Sequence, residues 1–256
     1  MNDISDKLFW HKFNAFYEPR LPKKEVNNIL EIGVFEGNSI KYWREKYKQA
    51  NIFGIDIIKE QESWPKDDNI KYFEVDQSDV NKYRLCLSEI NKAFDIVIED
   101  GSHDPLHQKI SLIETLKYLQ KGSIYILEDI HTSHVEHPLY QKRLNKINAS
   151  SKFFKKKVEN YYMTLQCLLH LEHFKRMNKT VEDFNNAINF KQSLFAKEEL
   201  VLLYNKVKKI EIFKRTVLPD FCYACKKSDF NYTTLQCDCG TELYSNSDSM
   251  TAMLYF

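Results

Sequence analysis

Acidic residues and a histidine are concentrated in one stretch of the sequence, FDIVIEDGSHDPLHQKISLIETLKYLQKGSIYILEDIHTS at positions 94–133. Each of its two apolar runs ends in a pair of acids, and an imidazole follows the first pair: Glu99 and Asp100, Glu128 and Asp129, and His103. Carboxylates are the ligands that Mg²⁺ prefers, and an imidazole with an unperturbed pKa of about 6.5 suits a general base at neutral pH. The stretch therefore predicts a divalent metal with a general base beside it.

The elements that must position these residues are apolar runs that alternate with helical patterns. The runs predict five strands: Asn28–Val34, Ile52–Ile57, Ile70–Val75, 94–98 and 123–127. Two further runs, IEIF at 210–213 and TVLPDF at 216–221, predict a terminal hairpin that closes the sheet. This alternation predicts an α/β fold with a doubly wound, mostly parallel sheet. Such folds bind ligands at the carboxyl ends of their strands, so the acids meet at one edge.

The turn after the first strand, in LEIGVFEGNS, indicates a cofactor site. A dinucleotide site needs three glycines, whereas this turn has only Gly33 and Gly37, with Phe35 in the middle position. Taken alone, the two glycines also fit an ordinary turn between strand and helix. Glu31 precedes the first glycine, and its charge would repel a pyrophosphate but suit the ammonium group of a cofactor that carries an amino acid.

Two further acids strengthen this interpretation. Asp56 ends the second strand, where it can bind ribose hydroxyls, and Asp76 ends the third, near the edge of an adenine ring. Together with Glu31, these positions favour S-adenosylmethionine over NAD.

At this point the sequence resembles a known family, the class I S-adenosylmethionine-dependent methyltransferases, and within it the metal-dependent sugar O-methyltransferases of the macrocin and mycinamicin type. The matching pieces, in the order of the family, are LEIGVFEGNS, FGIDI, VDQSD, FDIVIEDGSH and GSIYILEDIHTS. The resemblance covers roughly residues 8–133, with a weaker match at 210–218. It implies a Rossmann-like, doubly wound, mostly parallel seven-stranded sheet.

The resemblance also implies roles for single residues. Asp100, Glu128 and Asp129 would hold Mg²⁺ or another divalent cation, and His103 would be the general base. Glu99 receives no ligand role, and we expect it to face solvent. The implied cofactor positions are Glu31, Gly33, Gly37, Ser39, Asp56, Asp76, Gln77 and Ser78.

Four cysteines near the end of the sequence lie outside the family pattern. Cys222 and Cys225 form a Cys-x-x-Cys pair, and Cys237 and Cys239 form a Cys-x-Cys pair. Four thiolates on two short turns suit a structural Zn²⁺ ion, whereas free or packed thiols are the alternative. We therefore expect a methyltransferase domain at 1–221 and a small cysteine-rich, zinc-ribbon-like appendage at 222–256.

Two further segments need an interpretation. The segment 134–160 breaks the α/β pattern, and we expect it to form a loop or lid over the acceptor. Near the start of the sequence, Phe9, Phe13, Phe16 and Tyr17 share the spacing of one helix face, which predicts packing against the sheet. A helix there could instead cover the cofactor.

Composition limits the partners. Lys and Arg number 37 against 36 Asp and Glu, so a net charge of +1 gives no overall attraction to nucleic acid. No apolar run approaches the roughly 20 residues that span a bilayer, and the first residues do not resemble a signal peptide. We expect a cytoplasmic location. The sequence leaves the oligomeric state open, a homo-oligomer included.

These observations favour a metal-dependent O-methyltransferase that acts on a sugar or glycoconjugate. The alternatives are methylation of another small-molecule diol such as a catechol, methylation of nucleic acid, and a non-catalytic module that binds S-adenosylmethionine and uses the cysteine segment for contacts. The small-molecule or glycan acceptor itself cannot be named from the sequence.

Overall fold

One seven-stranded sheet organises the part of the chain that the structure describes. The computed structural model describes residues 5–23, 25–150, 157–245 and 249–256. The strands of the sheet are β1 Asn28–Ile32, β2 Asn51–Asp56, β3 Ile70–Glu74, β4 Phe94–Glu99, β5 Leu119–Leu127, β6 Lys209–Lys214 and β9 Met250–Tyr255. A separate pair, β7 Phe230–Asn231 and β8 Gln236–Cys237, forms a small antiparallel ribbon.

The strand order of the sheet is β3-β2-β1-β4-β5-β9-β6. The first five strands in this order pair in parallel, and β9 runs antiparallel to both of its neighbours. The predicted mostly parallel seven-stranded α/β sheet is therefore confirmed. The direction in which successive strands are added to the sheet reverses between β1 and β4. Open α/β sheets bind ligands at such a point.

Helices follow β1, β3, β4 and β5 in the chain, whereas no described helix separates β2 from β3. Their bounds are α1 Asp6–Phe9, α2 Phe13–Tyr17, α3 Asn38–Lys46, α4 Val80–Ile90, α5 Pro105–Thr115, α6 Pro138–Ser150, α7 Thr164–Arg176, α8 Val181–Asn186 and α9 Lys197–Lys206. Side chains begin several of them: Asp79 caps α4 and Asp104 caps α5, each by accepting backbone N–H groups. In the described residues, no helix combines the length and apolar character needed to cross a bilayer.

The sheet is buried on both faces, because successive residues of a strand point to opposite sides. Ile29 and Ile96 belong to one core cluster, which includes Phe13 and Trp43. On the opposite face, Leu30, Val97 and Tyr125 lie in a larger cluster with residues of α4, α5, α7 and α9. Two packed faces hold the strands in place, so the carboxyl ends of the strands form a fixed edge.

The end of the sheet differs from the prediction. Strand β6 pairs with β9, not with residues 216–221, so the predicted terminal hairpin was wrong. Strand β9 lies between β5 and β6, and the cysteine segment is an insertion between two strands of the sheet. The prediction failed because the apolar sequence MTAMLYF was grouped with the cysteines that precede it.

Two more segments differ from their predicted form. The aromatic residues near the start of the sequence do not share one helix, because Lys12 adopts a left-handed conformation (φ 61°) and separates α1 from α2. The predicted loop at 134–160 is helical over Pro138–Ser150. Residues 151–156 of that prediction lie outside the described residues.

Candidate active site

A cavity of about 730 Å³ lies at the carboxyl edge of the sheet. It is lined by residues that follow all five of the predicted strands and by two residues of the N-terminal segment, Asp6 and His11. Nine of the predicted site residues line it: Gly33, Asp56, Asp76, Gln77, Ser78, Asp100, His103, Glu128 and Asp129. The structure does not place Glu31, Gly37 or Ser39 in this lining, and no described residue of 134–160 lines it.

A cluster of two acids and an imidazole occupies the inner part of the cavity. Asp100, His103 and Asp129 each offer one donor atom, and these atoms lie within 4.8 Å of one another. His103 Nδ1 is 3.6 Å from Asp129 Oδ2 and 4.0 Å from Asp100 Oδ1. Both His103 (φ 56°) and Asp129 (φ 50°) adopt a left-handed backbone, a conformation that costs energy outside glycine and is concentrated at functional sites.

Asp129 is the most anionic group of this cluster. Burial alone would raise its pKa, but His11, His103, His131 and Lys7 together lower the pKa of Asp129 to about 2. The three imidazoles lie 3.6 to 3.9 Å from its carboxylate oxygens. Asp129 therefore carries its negative charge at any pH at which the protein would operate.

Lys7, which the sequence analysis did not select, enters the same cluster from α1. Its ammonium group donates to Glu128 Oε2 at 2.8 Å and also to Asp100. Burial of Lys7 opposes its charge, but Asp100, Glu128 and Glu31 hold the pKa well above the ordinary lysine value. Of the three predicted metal ligands, Asp100 and Glu128 thus each direct one oxygen to an ammonium group, and Asp129 is grouped with Asp100 and His103.

The donor set fits a divalent cation. Glu128 Oε1, Asp129 Oδ1 and His103 Nδ1 are buried and have no hydrogen-bond partner within the described residues. Buried polar atoms are nearly always satisfied by protein, water or an ion. The carboxylate oxygens of Asp100, Glu128 and Asp129 match the preference of divalent ions such as Mg²⁺ and Mn²⁺ for oxygen ligands.

The glycine turn is built against the strand that carries Asp100. A Cβ atom on Gly33 would lie 2.1 Å from the carbonyl oxygen of Asp100, and the φ angle of Gly33 is +92°. Only glycine fits there. Asp56 completes the turn, because its Oδ2 accepts the backbone N–H groups of Val34 (2.8 Å) and Phe35 (3.0 Å).

Glu31 lies behind this turn and is fully buried. Burial raises its pKa to about 7, although Lys7, Ser39 and Trp43 act in the opposite direction. Ser39 is in the first turn of α3, after Gly37. These three predicted cofactor residues therefore lie outside the cavity lining.

Gln77 and Glu99 form a buried connection under the cavity. Gln77 Nε2 donates to Glu99 Oε1 (2.9 Å) and to Ser111 Oγ (3.1 Å), while its Oε1 accepts the backbone N–H of Ser102 (2.8 Å). Glu99 is fully buried, so the expectation that it faces solvent was wrong. Burial raises the pKa of Glu99 to about 7, with Gln77 lowering it in part.

The outer part of the cavity is lined by large apolar side chains together with Asp76 and Ser78. Phe35 and Ile57 are 78% and 64% exposed there, and Ile58 is next to them. Asp76 accepts the backbone N–H of Ser78 at 2.8 Å, and the hydrogen bonds from Ser78 lower the pKa of Asp76. Large apolar side chains exposed around a polar floor are typical of a ligand site.

The predicted zinc ligands are also brought together. One sulfur atom from each of Cys222, Cys225, Cys237 and Cys239 lies within 4.8 Å of the others.

Comparison with known proteins gives relatives for about half of the chain. No family model matches it. The chain is 33% identical over 145 residues to 8-demethyl-8-(2-methoxy-alpha-L-rhamnosyl)-tetracenomycin-C 3'-O-methyltransferase of Streptomyces olivaceus, which is 51% of this chain and 35% of that protein. It is 30% identical over 136 residues to demethylmacrocin O-methyltransferase of Streptomyces fradiae, 48% of this chain and 33% of that protein. The chain spans about a third of the length of these relatives.

Among solved structures, one similar fold is that of the MycE methyltransferase from the mycinamycin biosynthetic pathway in complex with Mg, SAH and mycinamycin VI. It shares 25% identity and a TM-score of 0.41 over 48% of this chain and 34% of that chain. The strand order, the strand-end acids and the sequence relatives agree with the resemblance that the motifs predict. The chain has the seven-stranded α/β fold of class I methyltransferases and is similar, over about half of its length, to sugar O-methyltransferases of the macrocin and mycinamicin type.

Proposed function

We propose that the protein is an S-adenosylmethionine-dependent O-methyltransferase that uses Mg²⁺ or another divalent cation and methylates a hydroxyl group of a sugar or glycoconjugate. One observation carries this proposal: a single cavity joins the glycine turn and its neighbouring acids Asp56 and Asp76 to the cluster of Asp100, His103 and Asp129. The sugar acceptor is supported by the names of the relatives, three of which name a rhamnosyl or olivosyl compound as the substrate.

The cofactor would lie along the outer cavity. Phe35, Ile57 and Ile58 offer apolar surface for an adenine ring. Asp76 is placed for the polar edge of that ring. Asp56 Oδ1 accepts one backbone N–H, from Ile58 at 3.1 Å. A carboxylate oxygen can accept a second hydrogen bond, so this atom retains capacity for a ribose hydroxyl.

The inner cavity would hold the cation and the acceptor. Asp100 and Asp129 supply carboxylate oxygens, and Glu128 presents its second oxygen, Oε1, at the same edge. When bound, the ion supplies Lewis acidity that lowers the pKa of an acceptor hydroxyl. The short approach of the Gly33 turn to Asp100 keeps the donor and acceptor regions adjacent, which contributes through proximity and orientation.

His103 would accept the proton of that hydroxyl. The oxygen attacks the methyl carbon of the sulfonium group, the bond from carbon to sulfur breaks, and a methyl ether and S-adenosylhomocysteine form. Burial lowers the pKa of His103, but Asp129, Asp100 and Glu99 raise it above the ordinary histidine value. The carbonyl of His103 accepts a hydrogen bond from Thr132 (2.7 Å), which holds the residue in place.

Calorimetric titration with S-adenosylhomocysteine, followed by a transfer assay, tests the proposal. The assay would offer glycosides with free vicinal hydroxyls and catechols as acceptors, with Mg²⁺ present and after EDTA. We expect cofactor binding and transfer to a glycoside that EDTA abolishes and Mg²⁺ restores. Transfer to catechols alone would show that the acceptor is another diol and not a sugar. Absence of cofactor binding would refute an enzyme of this class.

A further inference from the structure

The four cysteines near the end of the chain lie on two tight turns. Cys222 accepts the backbone N–H of Lys226, and Cys237 accepts that of Gly240. Both closing residues have a left-handed backbone, with φ angles of 60° and 88°. The four sulfur atoms of the two turns lie within 4.8 Å of one another.

The sulfur positions fit one tetrahedral ion. Cys222 Sγ is 3.6 Å from Cys239 Sγ, and Cys225 Sγ is 3.5 Å from Cys237 Sγ. A zinc ion bound at about 2.3 Å by four thiolates separates its sulfur atoms by roughly 3.8 Å. All four thiols are free, and they come from a donor set that selects zinc over harder cations.

The segment that carries the cysteines, residues 222–243, has almost no core of its own. Its buried side chains cluster with residues from elsewhere, above all Phe9 and Trp10 of the N-terminal segment. A unit this small cannot bury enough apolar surface to stay folded alone, and a bound metal is a common remedy. The N-terminal residues and the cysteine segment are thus parts of one packed unit.

The contacts between this segment and the N-terminal strap, which we define as residues 5–12, are specific. The ring of Trp10 meets that of Tyr223 edge to face, with centroids 4.8 Å apart. The guanidinium group of Arg215 stacks on Trp10 and donates to the carbonyls of Trp10 (3.2 Å) and Leu243 (2.7 Å). Just before the segment, the backbone N–H of Asp220 donates to the carbonyl of Phe9 at 2.9 Å.

The same strap reaches the candidate active site from its other side. Lys7 lies three residues before Trp10 and donates to Glu128 and Asp100. His11 lies one residue after Trp10, lines the cavity, and is 3.9 Å from Asp129. The strap therefore contacts the cysteine segment through Phe9 and Trp10 and the acidic cluster through Lys7 and His11.

We propose that Cys222, Cys225, Cys237 and Cys239 bind one structural zinc ion, and that the zinc-bound segment anchors the N-terminal strap so that Lys7 and His11 stay at the acidic cluster. The ion orders the cysteine segment, and the ordered segment provides the surface against which Phe9 and Trp10 pack. Because Phe9 and Trp10 are held there, Lys7 and His11 on either side of them in the sequence keep their positions. This role is structural and does not depend on the proposed methyl transfer.

Zinc analysis combined with hydrogen–deuterium exchange of the full-length chain tests both the zinc site and the anchoring of the strap. We expect about one equivalent of zinc in the purified protein. Removing it with a strong chelator should raise amide exchange in residues 6–12 at least tenfold and leave the amides of β1 and β4 unchanged. Cys239→Ser should lose zinc and show the same change, whereas Cys86→Ser, which alters a buried thiol outside the cluster, should do neither.

The Trp10→Ala variant tests the anchoring contact separately from the zinc site. It should keep its zinc while exchange in the strap rises, because it removes the contact with Tyr223 and leaves the cysteines intact. Zinc below about a third of an equivalent in the wild type would refute the metal site. Unchanged exchange in the strap after chelation would refute the anchoring role, and this wild-type measurement decides even if a variant fails to fold. Binding of S-adenosylhomocysteine, measured separately, reports on the proposed function alone.

Discussion

The ammonium group of Lys7 donates to Glu128 at 2.8 Å and also contacts Asp100, so a side chain from the N-terminal strap neutralises part of the acidic edge of the sheet. Both Lys7 and Glu128 are almost fully buried. A buried ion pair contributes little net stability while both partners remain, but removing one partner leaves an uncompensated charge. This relationship leads to the first prediction.

Lys7→Met should lower the free energy of unfolding by about 3 kcal/mol in the absence of divalent cations, because Asp100 and Glu128 lose their compensating charge. Added Mg²⁺ should recover part of that loss and should stabilise the variant more than the wild type. Urea denaturation with and without Mg²⁺ measures both effects. The control is Lys46→Met, which breaks a partly exposed pair with Glu18 and should cost less than about 1 kcal/mol. Equal costs for the two variants would contradict the buried role of Lys7.

Glu99→Gln should reduce the dependence of stability on pH. The pKa of Glu99 is about 7 in the folded chain against 4.5 for an unperturbed glutamate, so the folded state binds more protons between these values. Stability must then fall as pH rises from about 4.5 to 7, by up to roughly 3 kcal/mol.

The measurement is chemical denaturation at pH 5 and pH 8. The loss of stability between the two should be smaller for Glu99→Gln than for the wild type, since glutamine keeps an acceptor for Gln77 without a charge. Glu89→Gln, at an exposed position, is the control and should follow the wild type. A variant with the full wild-type loss would show that Glu99 does not titrate in this range.

Gly33→Ala should destabilise the fold by more than about 3 kcal/mol and abolish binding of S-adenosylhomocysteine. The added Cβ would overlap the carbonyl of Asp100 and push apart the turn and the strand that meet at the site. Gly240→Ala is a matched control, because Gly240 has a similar φ of +88° but nothing within 4 Å of the new atom. It should cost only about 1 kcal/mol. Thermal unfolding and calorimetry compare the two, and similar losses would mean that backbone strain alone explains Gly33.

His103→Ala should lower turnover by a factor of about 10² to 10⁴, the usual contribution of a general base. Affinity for S-adenosylhomocysteine should change by no more than a few fold, since Asp56 and Asp76 contact a different part of the cavity. His134→Ala, at a half-exposed histidine outside the cavity lining, serves as the comparison. A mild effect of His103→Ala on single-turnover rates would reduce this residue to a contributor to the shape of the pocket.

Much of the sheet and of its acidic edge follows from local patterns. The strands that end at Asp56, Glu99 and Leu127 were predicted from short apolar runs, and strand ends in a parallel sheet converge by geometry. The positions of side chains that reach this edge from distant parts of the sequence depend on contacts that local patterns do not contain. Lys7 meets Glu128 across 121 residues of sequence, and a buried lysine looks like any surface lysine when only its neighbours in sequence are known.

Contacts between distant parts of the sequence also account for the two larger differences between the predicted and the observed structure. Strand β9 was overlooked because its partners β5 and β6 are distant in sequence, and antiparallel pairing inside a mostly parallel sheet has no local signature. Glu99 was expected in solvent because an acid beside a strand end is usually exposed. Gln77 and Ser111, which surround it, come from other elements, so its burial becomes visible only in the folded chain.

The central claim, one cavity that holds both cofactor and divalent cation, is tested most directly by a crystal structure of the chain with S-adenosylhomocysteine and Mn²⁺, using anomalous scattering to locate the metal. We expect the cofactor between the Gly33 turn and Asp76, and one anomalous peak within about 2.2 Å of carboxylate oxygens of Asp100 and Asp129. A cofactor bound elsewhere, or an acidic cluster that retains Lys7 and shows no peak at saturating Mn²⁺, would contradict it.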